Sequence, residues 1–206
     1  VGGNGGINQE QLNELARGLA EKLAALPRKL KGVVLDLRFN GGGNVYPMLA
    51  GLGPLLGDGI WMHEVVPSGV VTRDWELKNG NFFIGGYQAT NIQVRSPKRL
   101  LKLPVAILIG PATRSSGSMV AIAFKARKNT LFFGEPTAEG YSTSNGYFLF
   151  SPALTMNFAT HFVSDRNGNV YHHSVTPDVL INNGQDEADF RKDQLYQKSC
   201  EWLLGR

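Results

Sequence analysis

Two short apolar runs, each followed by a loop of small residues and then by a helical pattern, constrain the fold of this chain most strongly. The runs occupy residues 32–37 and 104–109, and both are apolar without strict alternation. A continuous apolar run of this length is typical of a strand buried on both faces, as in a parallel sheet covered by helices. We therefore predict that the two runs form adjacent parallel strands of one sheet in an α/β domain.

The remaining pattern adds helices at both ends of the chain and a less regular middle. Asn8 and Gln11 stand at capping-box spacing before leucines that recur every three or four residues, which predicts a helix from residue 8 to about 26. Residues 60–100 alternate weakly and are broken by Gly and Pro, so they predict short strands that leave the main sheet as a β excursion. The sheet itself is predicted to be mainly parallel. Further predicted elements are helices at 48–56, 119–126 and 185–204, and strands at 131–134, 147–150 and 154–163 with a hairpin turn at 165–168.

Composition narrows the class of protein. At 206 residues, the chain is predicted to form a single domain spanning residues 1–206. The net charge of +4 comes from basic residues scattered along the chain, and the densest basic run, 98–102, is too short for a nucleic-acid footprint. The single cysteine, Cys200, excludes an intrachain disulfide and is predicted to be a half-buried thiol on a helix. The first residues lack an initiator Met and an apolar signal segment, so we expect a further segment upstream of Val1.

The two loops that follow the apolar runs have the residue types that acyl transfer requires. A helix that starts after a buried strand presents unpaired backbone N–H groups and a partial positive charge, which suit a developing oxyanion. In the first loop, Gly41, Gly42 and Gly43 allow the backbone to approach a substrate carbonyl closely. In the second, Ser115 is placed to project its hydroxyl at the helix start, and the N–H of Ser116 can join the oxyanion hole, much as in a nucleophile elbow.

Each loop also has a purely structural interpretation. A glycine-rich loop after a strand is often only a tight turn, and serines at a helix start are often N-caps. Two other ligand-binding interpretations fail on spacing. The GxxxxGK[ST] motif of a phosphate loop is absent, and the triple glycine lacks the GxGxxG spacing of a dinucleotide fingerprint.

The order of several short blocks over residues 30–182 is more specific than any one of them. The blocks are Val33-Val-Leu-Asp-Leu-Arg-Phe-Asn-Gly-Gly-Gly43, Val105-Ala-Ile-Leu-Ile109 with Thr113-Arg-Ser-Ser-Gly117, Gly134-Glu-Pro-Thr-Ala138 and Val175-Thr-Pro-Asp178. With these blocks in this order, the chain resembles the tail-specific (C-terminal processing) serine peptidases, and its residues 140–145 and 165–171 most resemble the branch that includes the nisin-resistance proteins. This resemblance implies a ClpP/crotonase-like fold, a nucleophile at Ser115, and an oxyanion hole from Gly42 or its neighbour together with Ser116.

The chain departs from that family at the general base. Many members carry a lysine about 25 residues after the serine, but the stretch that follows Ala138 holds none. Lys125 lies ten residues beyond Ser115 on the same predicted helix, about 15 Å along its axis and beyond hydrogen-bond reach. The Ser–His branch expects a histidine upstream of the first glycine loop, and no histidine precedes His63. Ser118 also stands where that branch usually carries Glu.

Other polar residues have structural interpretations that we favour. Asp36 and Arg38, at the end of the first strand, are expected to fix the loop by hydrogen bonding and ion pairing. Glu135 and Glu139 are the nearest carboxylates that could orient a base, and solvated loop positions are favoured for both. Surface or structural roles are expected for the four histidines, although His172 or His173 could approach the site. The three tryptophans, Trp61, Trp75 and Trp202, are expected in the core or at an interface.

The leading hypothesis is therefore peptide hydrolysis through an acyl-enzyme on Ser115, with a histidine from outside this segment as base. The rival is a catalytically degenerate peptide-binding module in which the same groove captures an extended chain. Acyl-thioester chemistry would require a coenzyme A pocket, which no feature indicates. No metal or organic cofactor is implied, and the expected partner is a peptide or protein substrate. The resemblance implies an extracytoplasmic location, with a membrane-proximal position if an upstream segment provides an anchor.

Overall fold

The computed structural model describes residues 8–94, 97–182 and 189–205. Its helices are α1 (Gln9–Ala24), α2 (Val45–Gly51), α3 (Gly53–Leu56), α4 (Ser116–Lys125) and α5 (Gln194–Leu204), with a 3-10 turn at Leu100–Lys102. Its strands are β1 (Val33–Asp36), β2 (Gly59–Val65), β3 (Val71–Lys78), β4 (Asn81–Ile84), β5 (Tyr87–Gln88), β6 (Val105–Ile109), β7 (Thr130–Gly134), β8 (Thr143–Ser151), β9 (Leu154–Asp165), β10 (Val170–Tyr171) and β11 (Val179–Leu180). No helix in these ranges is long and apolar enough to cross a membrane.

The two apolar runs form neighbouring strands of a parallel sheet, as predicted, but β1 is a half-buried edge strand and not a strand buried on both faces. This sheet has the order β1-β6-β7-β11, and β1 pairs with β6 in parallel, with Leu35 opposite Ile107. Every residue of β6 is buried. Val105, Ile107 and Ile109 face the main core, while the alternate positions pack in a second apolar cluster with residues of α5. The central strand is therefore covered on both faces, which explains its uninterrupted apolar sequence.

The larger sheet is antiparallel, which corrects the expectation of a mainly parallel sheet. Its strands follow the order β10-β9-β2-β3-β4-β5, and β8 pairs with β9. The region 60–100 does form short strands, but they join a hairpin from the second half of the chain, with Met62 opposite Asp165. Gly and Pro interrupt the sequence pattern there, and the pairing partners are far apart along the chain, so their association was not readable from periodicity. The α/β class is confirmed.

The prediction is confirmed for the start of the first helix and is wrong for the start of the last one. The Asn8 side chain accepts a hydrogen bond from the Gln11 N–H, and the Gln11 side chain accepts one from the Asn8 N–H, so the capping box is confirmed. The closing helix was predicted from residue 185 but starts at Gln194, where Asp193 caps it. Turns from Asp189 to Asp193 occupy the preceding residues, and residues 183–188 lie outside the described ranges.

Large aromatic side chains and the cysteine occupy the expected environments. Trp61 and Trp75 are buried in the main core, and Trp202 packs edge to face against Phe133 with ring centroids 6.1 Å apart. Cys200 is a free, half-buried thiol on α5. These residues have packing roles and are not part of the site described below.

Candidate active site

The loops after β1 and β6 converge at one edge of the parallel sheet. Parallel neighbours end on the same side, so the two helix starts are brought together by topology. Three hydrogen bonds then join the loops directly. The Arg114 N–H donates to the Asn40 carbonyl at 3.0 Å, the Ser116 hydroxyl donates to the Gly43 carbonyl at 2.6 Å, and the Thr113 hydroxyl donates to the Leu37 carbonyl at 2.8 Å.

Ser115 adopts an unusual backbone conformation at the start of α4. Its φ of 52° and ψ of −124° lie in a region that non-glycine residues rarely occupy. Its side chain makes no capping hydrogen bond with the helix, although it stands at the N-cap position. The N-cap interpretation of the Ser115 side chain is therefore wrong, because this partly exposed residue lacks the hydrogen bond that serines usually make at this position.

Gly42 lies directly against Ser115. A Cβ at Gly42 would be 2.7 Å from the Ser115 Cβ and 3.0 Å from its Oγ, and Gly42 has a φ of +112°. Gly41, in contrast, does not have a positive φ, and its nearest neighbour to a Cβ would be the Arg114 Nε at 3.8 Å. Of these two glycines, only Gly42 needs the absence of a side chain for the close approach.

The backbone donors of the two loops are not equivalent. The Gly42 N–H already donates to the Asn40 Oδ1 at 3.1 Å. Within the part of the chain that the structure describes, the N–H groups of Gly41, Gly43 and Ser116 have no acceptor. The donors without an acceptor are thus Ser116 and the two neighbours of Gly42.

Asn40 is a structural determinant of the site that the sequence analysis did not identify. Its carbonyl accepts from Arg114, and its side chain accepts from Gly42. The second loop also packs closely on it, because a Cβ at Gly117 would be 2.5 Å from the Asn40 carbonyl oxygen. An Asn immediately before glycines is a typical side-chain-to-backbone turn signal, and this could have identified it.

Arg38 and Asp36 fix the first loop, as expected from their place at the end of β1. The Arg38 guanidinium donates to both Asp36 oxygens and to the Asp193 Oδ2 at 2.5 Å, and its side chain is only 8% exposed. Burial opposes the charge of Arg38, but the hydrogen bonds and charges of the two carboxylates outweigh it and raise its pKa. Because Asp193 caps α5, this ion pair ties the site loop to the C-terminal helix.

The histidines are all engaged elsewhere. His63 pairs with Asp74 at 2.7 Å, His161 contacts Thr160, and His172 packs edge to face on Phe162. His173 lies 3.2 Å from the Glu139 carboxylate, with both side chains more than three-quarters exposed. Among the described residues, none donates to or accepts from the Ser115 hydroxyl.

Two further polar residues of α4, Ser118 and Lys125, are candidates for a role in the site. The Lys125 ammonium pairs with Asp178 at 3.2 Å and lies over the Phe132 ring. Burial lowers its pKa, against the opposing charge of Asp178. Ser118 is fully buried, and its hydroxyl has no hydrogen-bond partner in the described ranges. Within the same ranges, no group of three His, Cys, Asp or Glu residues could bind a metal ion.

Comparison with known proteins relates this chain to a peptidase family. Residues 5–181 match the sequence profile of Peptidase family S41. The nisin-resistance protein of Lactococcus lactis subsp. lactis is 33% identical over 182 residues, which are 88% of this chain and 55% of that protein. The chain thus spans about half the length of this curated relative.

Solved structures share the fold. A lipoprotein from Streptococcus agalactiae superposes with a TM-score of 0.71 at 27% identity, covering 97% of this chain and 63% of that one. The photosystem II D1 C-terminal processing protease superposes with a TM-score of 0.57 at 19% identity, over 85% of this chain and 40% of that one, and shows a shared fold. With the profile match over most of its length, the chain belongs to peptidase family S41.

Proposed function

We propose that this chain contains the nucleophile and oxyanion donors of a serine-type peptidase that hydrolyses extended polypeptides through an acyl-enzyme on Ser115. Membership of family S41 supports peptidase chemistry on peptide or protein substrates. The choice of serine and the mechanism are our inference from the loop geometry. We also assign the parallel layer and its two converging loops to a ClpP/crotonase-like architecture.

One observation carries the proposal: Ser115 is held in a rare conformation, against a glycine, with its hydroxyl free of any capping bond. Backbone strain of this kind costs about 1–3 kcal/mol and persists where the surroundings enforce it, most often at functional sites. A serine that only capped α4 would have extended backbone and would accept from an N–H of the first turn. The arrangement at Ser115 therefore favours a nucleophile over a cap.

The chemistry follows from the groups at this edge of the sheet. The Ser115 Oγ attacks the substrate carbonyl while a base removes its proton, and the carbonyl oxygen becomes an oxyanion. The N–H of Ser116 and the N–H of Gly41 or Gly43 stabilise that charge. The base returns its proton to the leaving amine, the C–N bond breaks, and water then hydrolyses the ester on Ser115. We assign the base to a histidine of the same protein outside these 206 residues, because His63, His161, His172 and His173 have the other contacts described above.

The test uses a fluorophosphonate probe and unstructured peptides on two proteins, the 206-residue chain and a longer form that includes sequence outside these 206 residues. We expect the longer form to react and the chain alone to react at least about 100-fold more slowly, since general-base help is worth about 10²–10⁴-fold. Ser115→Ala should abolish both reactions. Ser118→Ala, which removes a hydroxyl from the same helix, is the matched control and should retain them.

Three outcomes would change the assignment. Rapid turnover by the chain alone would mean that an internal group, with His173 the first candidate, acts as the base. Retained activity in Ser115→Ala would remove the proposed nucleophile. Inactivity of every form with retained peptide binding would instead make the protein a peptide-binding module.

The location and partners are part of the same proposal. A solved relative is a lipoprotein, and this supports an extracytoplasmic position near a membrane. We expect polypeptides, rather than nucleic acid, to be the partners, because the positive charge is scattered. Fractionation of cells that express the full-length protein would test the location, and a cytoplasmic pool alone would contradict it.

A further inference from the structure

The hairpin of β8 and β9 extends beyond the larger sheet as a two-stranded ribbon, which we define as residues 143–160. In the described structure, β9 pairs with β2 only through Phe162 to Asp165, and β8 pairs only with β9. Both outer edges of the ribbon are therefore unpaired over most of its length. The ribbon contains no Asp, Glu, Lys, Arg or His.

One face of the ribbon carries an aromatic shelf, which we define as Phe148, Met156 and Phe158. Phe148 is opposite Met156, and Phe158 is opposite Gly146. The rings of Phe148 and Phe158 stack with centroids 4.7 Å apart and an interplanar angle of 10°. Each shelf residue is 41–47% exposed, so the stacked rings remain open on one side.

Gly146 makes this shelf possible. A Cβ there would be 2.7 Å from the Phe148 Cε2 and 2.8 Å from the Thr160 Cγ2. The Phe148 ring thus lies over the glycine and reaches the ring of Phe158. Contacts within the ribbon itself hold the two rings in place, which reduces the ordering cost of binding.

Exposed strand edges are normally protected by charged side chains, proline or a covering element, because unpaired N–H and C=O groups pair with other chains. Here the edge strand is long and uncharged, and an open apolar shelf lies beside it. A segment that paired with it would gain main-chain hydrogen bonds and would place alternate side chains on the shelf. Charged side chains in that segment would lose hydration without gaining a partner. The surface therefore fits an extended, uncharged, apolar-rich polypeptide.

The ribbon is continuous with the candidate active site. The loop before β8 is attached to the nucleophile loop, since the Ala138 N–H donates to the Thr113 carbonyl at 3.0 Å. From Ala138, five residues lead to the first residue of β8, a span of at most about 18 Å. A polypeptide added to the β8 edge therefore has one end near the loop of Ser115. This proximity favours the peptidase substrate as the occupant.

We propose that the ribbon is a substrate-binding exosite that captures an extended, uncharged, apolar-rich segment as an added β-strand. The inference rests on the proposed function, because it takes the captured chain to be the one cleaved at Ser115. It specifies a substrate class, which the nucleophile and the oxyanion donors do not.

Binding can be measured separately from cleavage. The protein is the full chain with Ser115→Ala, and the probe is a rhodamine-labelled peptide of alternating Val and Thr, followed by fluorescence anisotropy. Peptides with Lys and Glu in place of Val, or with N-methylated alternate amides, are the matched probes. We expect both to bind at least about tenfold more weakly, through desolvated charge and lost main-chain bonds respectively.

Neighbouring positions on opposite faces provide matched protein variants. Phe158→Asp puts a carboxylate on the shelf and should weaken peptide binding at least about tenfold. Asn157→Asp, which adds the same charge on the face shared with Tyr147, should change it less than about twofold. Gly146→Ala displaces the Phe148 ring without adding charge and should also weaken binding. Thermal melting checks that each variant is folded.

Each outcome decides between defined alternatives. Equal effects of Phe158→Asp and Asn157→Asp, or absence of peptide binding, would overturn the exosite. A dimer in sedimentation that Phe158→Asp dissociates would identify a second copy as the occupant. Binding to phosphatidylglycerol vesicles, without peptide binding, would identify a lipid surface.

The proposed function and the exosite can fail separately. Binding that follows the predicted variant pattern, in a longer form that never cleaves, would contradict the proposed function alone. Cleavage that requires Ser115 but is equal for charged and uncharged peptides would contradict the exosite alone.

Discussion

The two loops of the candidate site have equivalent positions in the fold, but the residues that adopt positive φ angles are of different types. Each follows a strand of the parallel sheet, half-buried β1 or fully buried β6, and precedes a helix. In the first, the positive φ angles fall on Gly42 and Gly43, which adopt them at little cost. In the second, the positive φ falls on Ser115, for which it is unfavourable. The first loop thus provides space, and the second concentrates strain on the residue that we assign to the chemistry.

The two loops are also fixed by different contacts. Arg38 fixes the first loop to the C-terminal helix through its ion pair with Asp193, the N-cap of α5. The second is held by the Thr113 hydroxyl, which accepts from the Gly110 N–H of the same loop and donates to the Leu37 carbonyl next to the first loop. The strain at Ser115 is therefore opposed by local hydrogen bonds, while the first loop depends on a distant helix. This difference can be tested at single residues.

The largest expected effect on stability comes from breaking the ion pair between Arg38 and Asp193, which fixes the first loop. Arg38→Gln would leave the Asp193 carboxylate, which is 1% exposed, without its charged partner. Removing one member of a buried pair typically costs about 3–5 kcal/mol. We expect a loss of this size in the free energy of unfolding, measured by urea denaturation.

A solvent-exposed ion pair provides the control for Arg38. Arg191 pairs with Asp189 but is 79% exposed, so Arg191→Gln should change the free energy of unfolding by less than about 0.5 kcal/mol. Equal effects of the two substitutions would mean that the first loop does not depend on α5.

The second prediction concerns the contact between the loops. Gly42→Ala adds a Cβ at 2.7 Å from that of Ser115 and imposes a positive φ on alanine. The two penalties together should cost about 2–4 kcal/mol of stability and displace the serine. Fluorophosphonate labelling of the longer form should fall at least about 100-fold. Gly41→Ala, with no such contact, should retain labelling within about threefold, and equal loss in both variants would contradict the special role of Gly42.

Local patterns predicted much of this arrangement. The paired strands, the capping box and the helix after Ser115 follow from apolar runs and short-range signals in the sequence. A strand that is buried on both faces, such as β6, is apolar throughout and so is recognisable by itself. The family resemblance, which Ser115 and the surrounding blocks carry, is confirmed by the profile match.

What the sequence did not predict depends on contacts between distant residues. The pairing of β2 with β9 and the bond between Arg38 and Asp193 join positions more than 90 residues apart. The start of α5 was misplaced because the turn and the Asp193 cap interrupt a pattern that otherwise looks helical. The engagement of the Gly42 N–H by Asn40 also depends on the folded loop, since three adjacent glycines look equivalent in the sequence.

The third prediction tests the strain assigned to the second loop. Ser115→Gly removes the penalty of a positive φ, and the gain should exceed the entropy cost of glycine by about 1–2 kcal/mol. The variant should therefore be more stable in urea and should not react with the fluorophosphonate. Ser116→Gly is the matched control. It loses the hydroxyl that donates to Gly43 without relieving strain, and it should be less stable. A stability loss in Ser115→Gly would mean that the conformation is not strained.

The smallest expected effect distinguishes two fully buried serines on helices, Ser118 and Ser199. The Ser118 hydroxyl has no partner in the described ranges, whereas that of Ser199 donates to the Tyr196 carbonyl at 2.7 Å. A buried hydroxyl without a hydrogen bond is unfavourable, and alanine is the better helix former, so Ser118→Ala should increase stability by about 1 kcal/mol. Ser199→Ala loses a bond worth about as much and should be neutral or destabilising. Urea denaturation of both variants gives the difference in sign. A loss of stability in Ser118→Ala would show that its hydroxyl is hydrogen-bonded in solution. The buried serines Ser116 and Ser118 of α4 would then both have hydrogen-bonded hydroxyls.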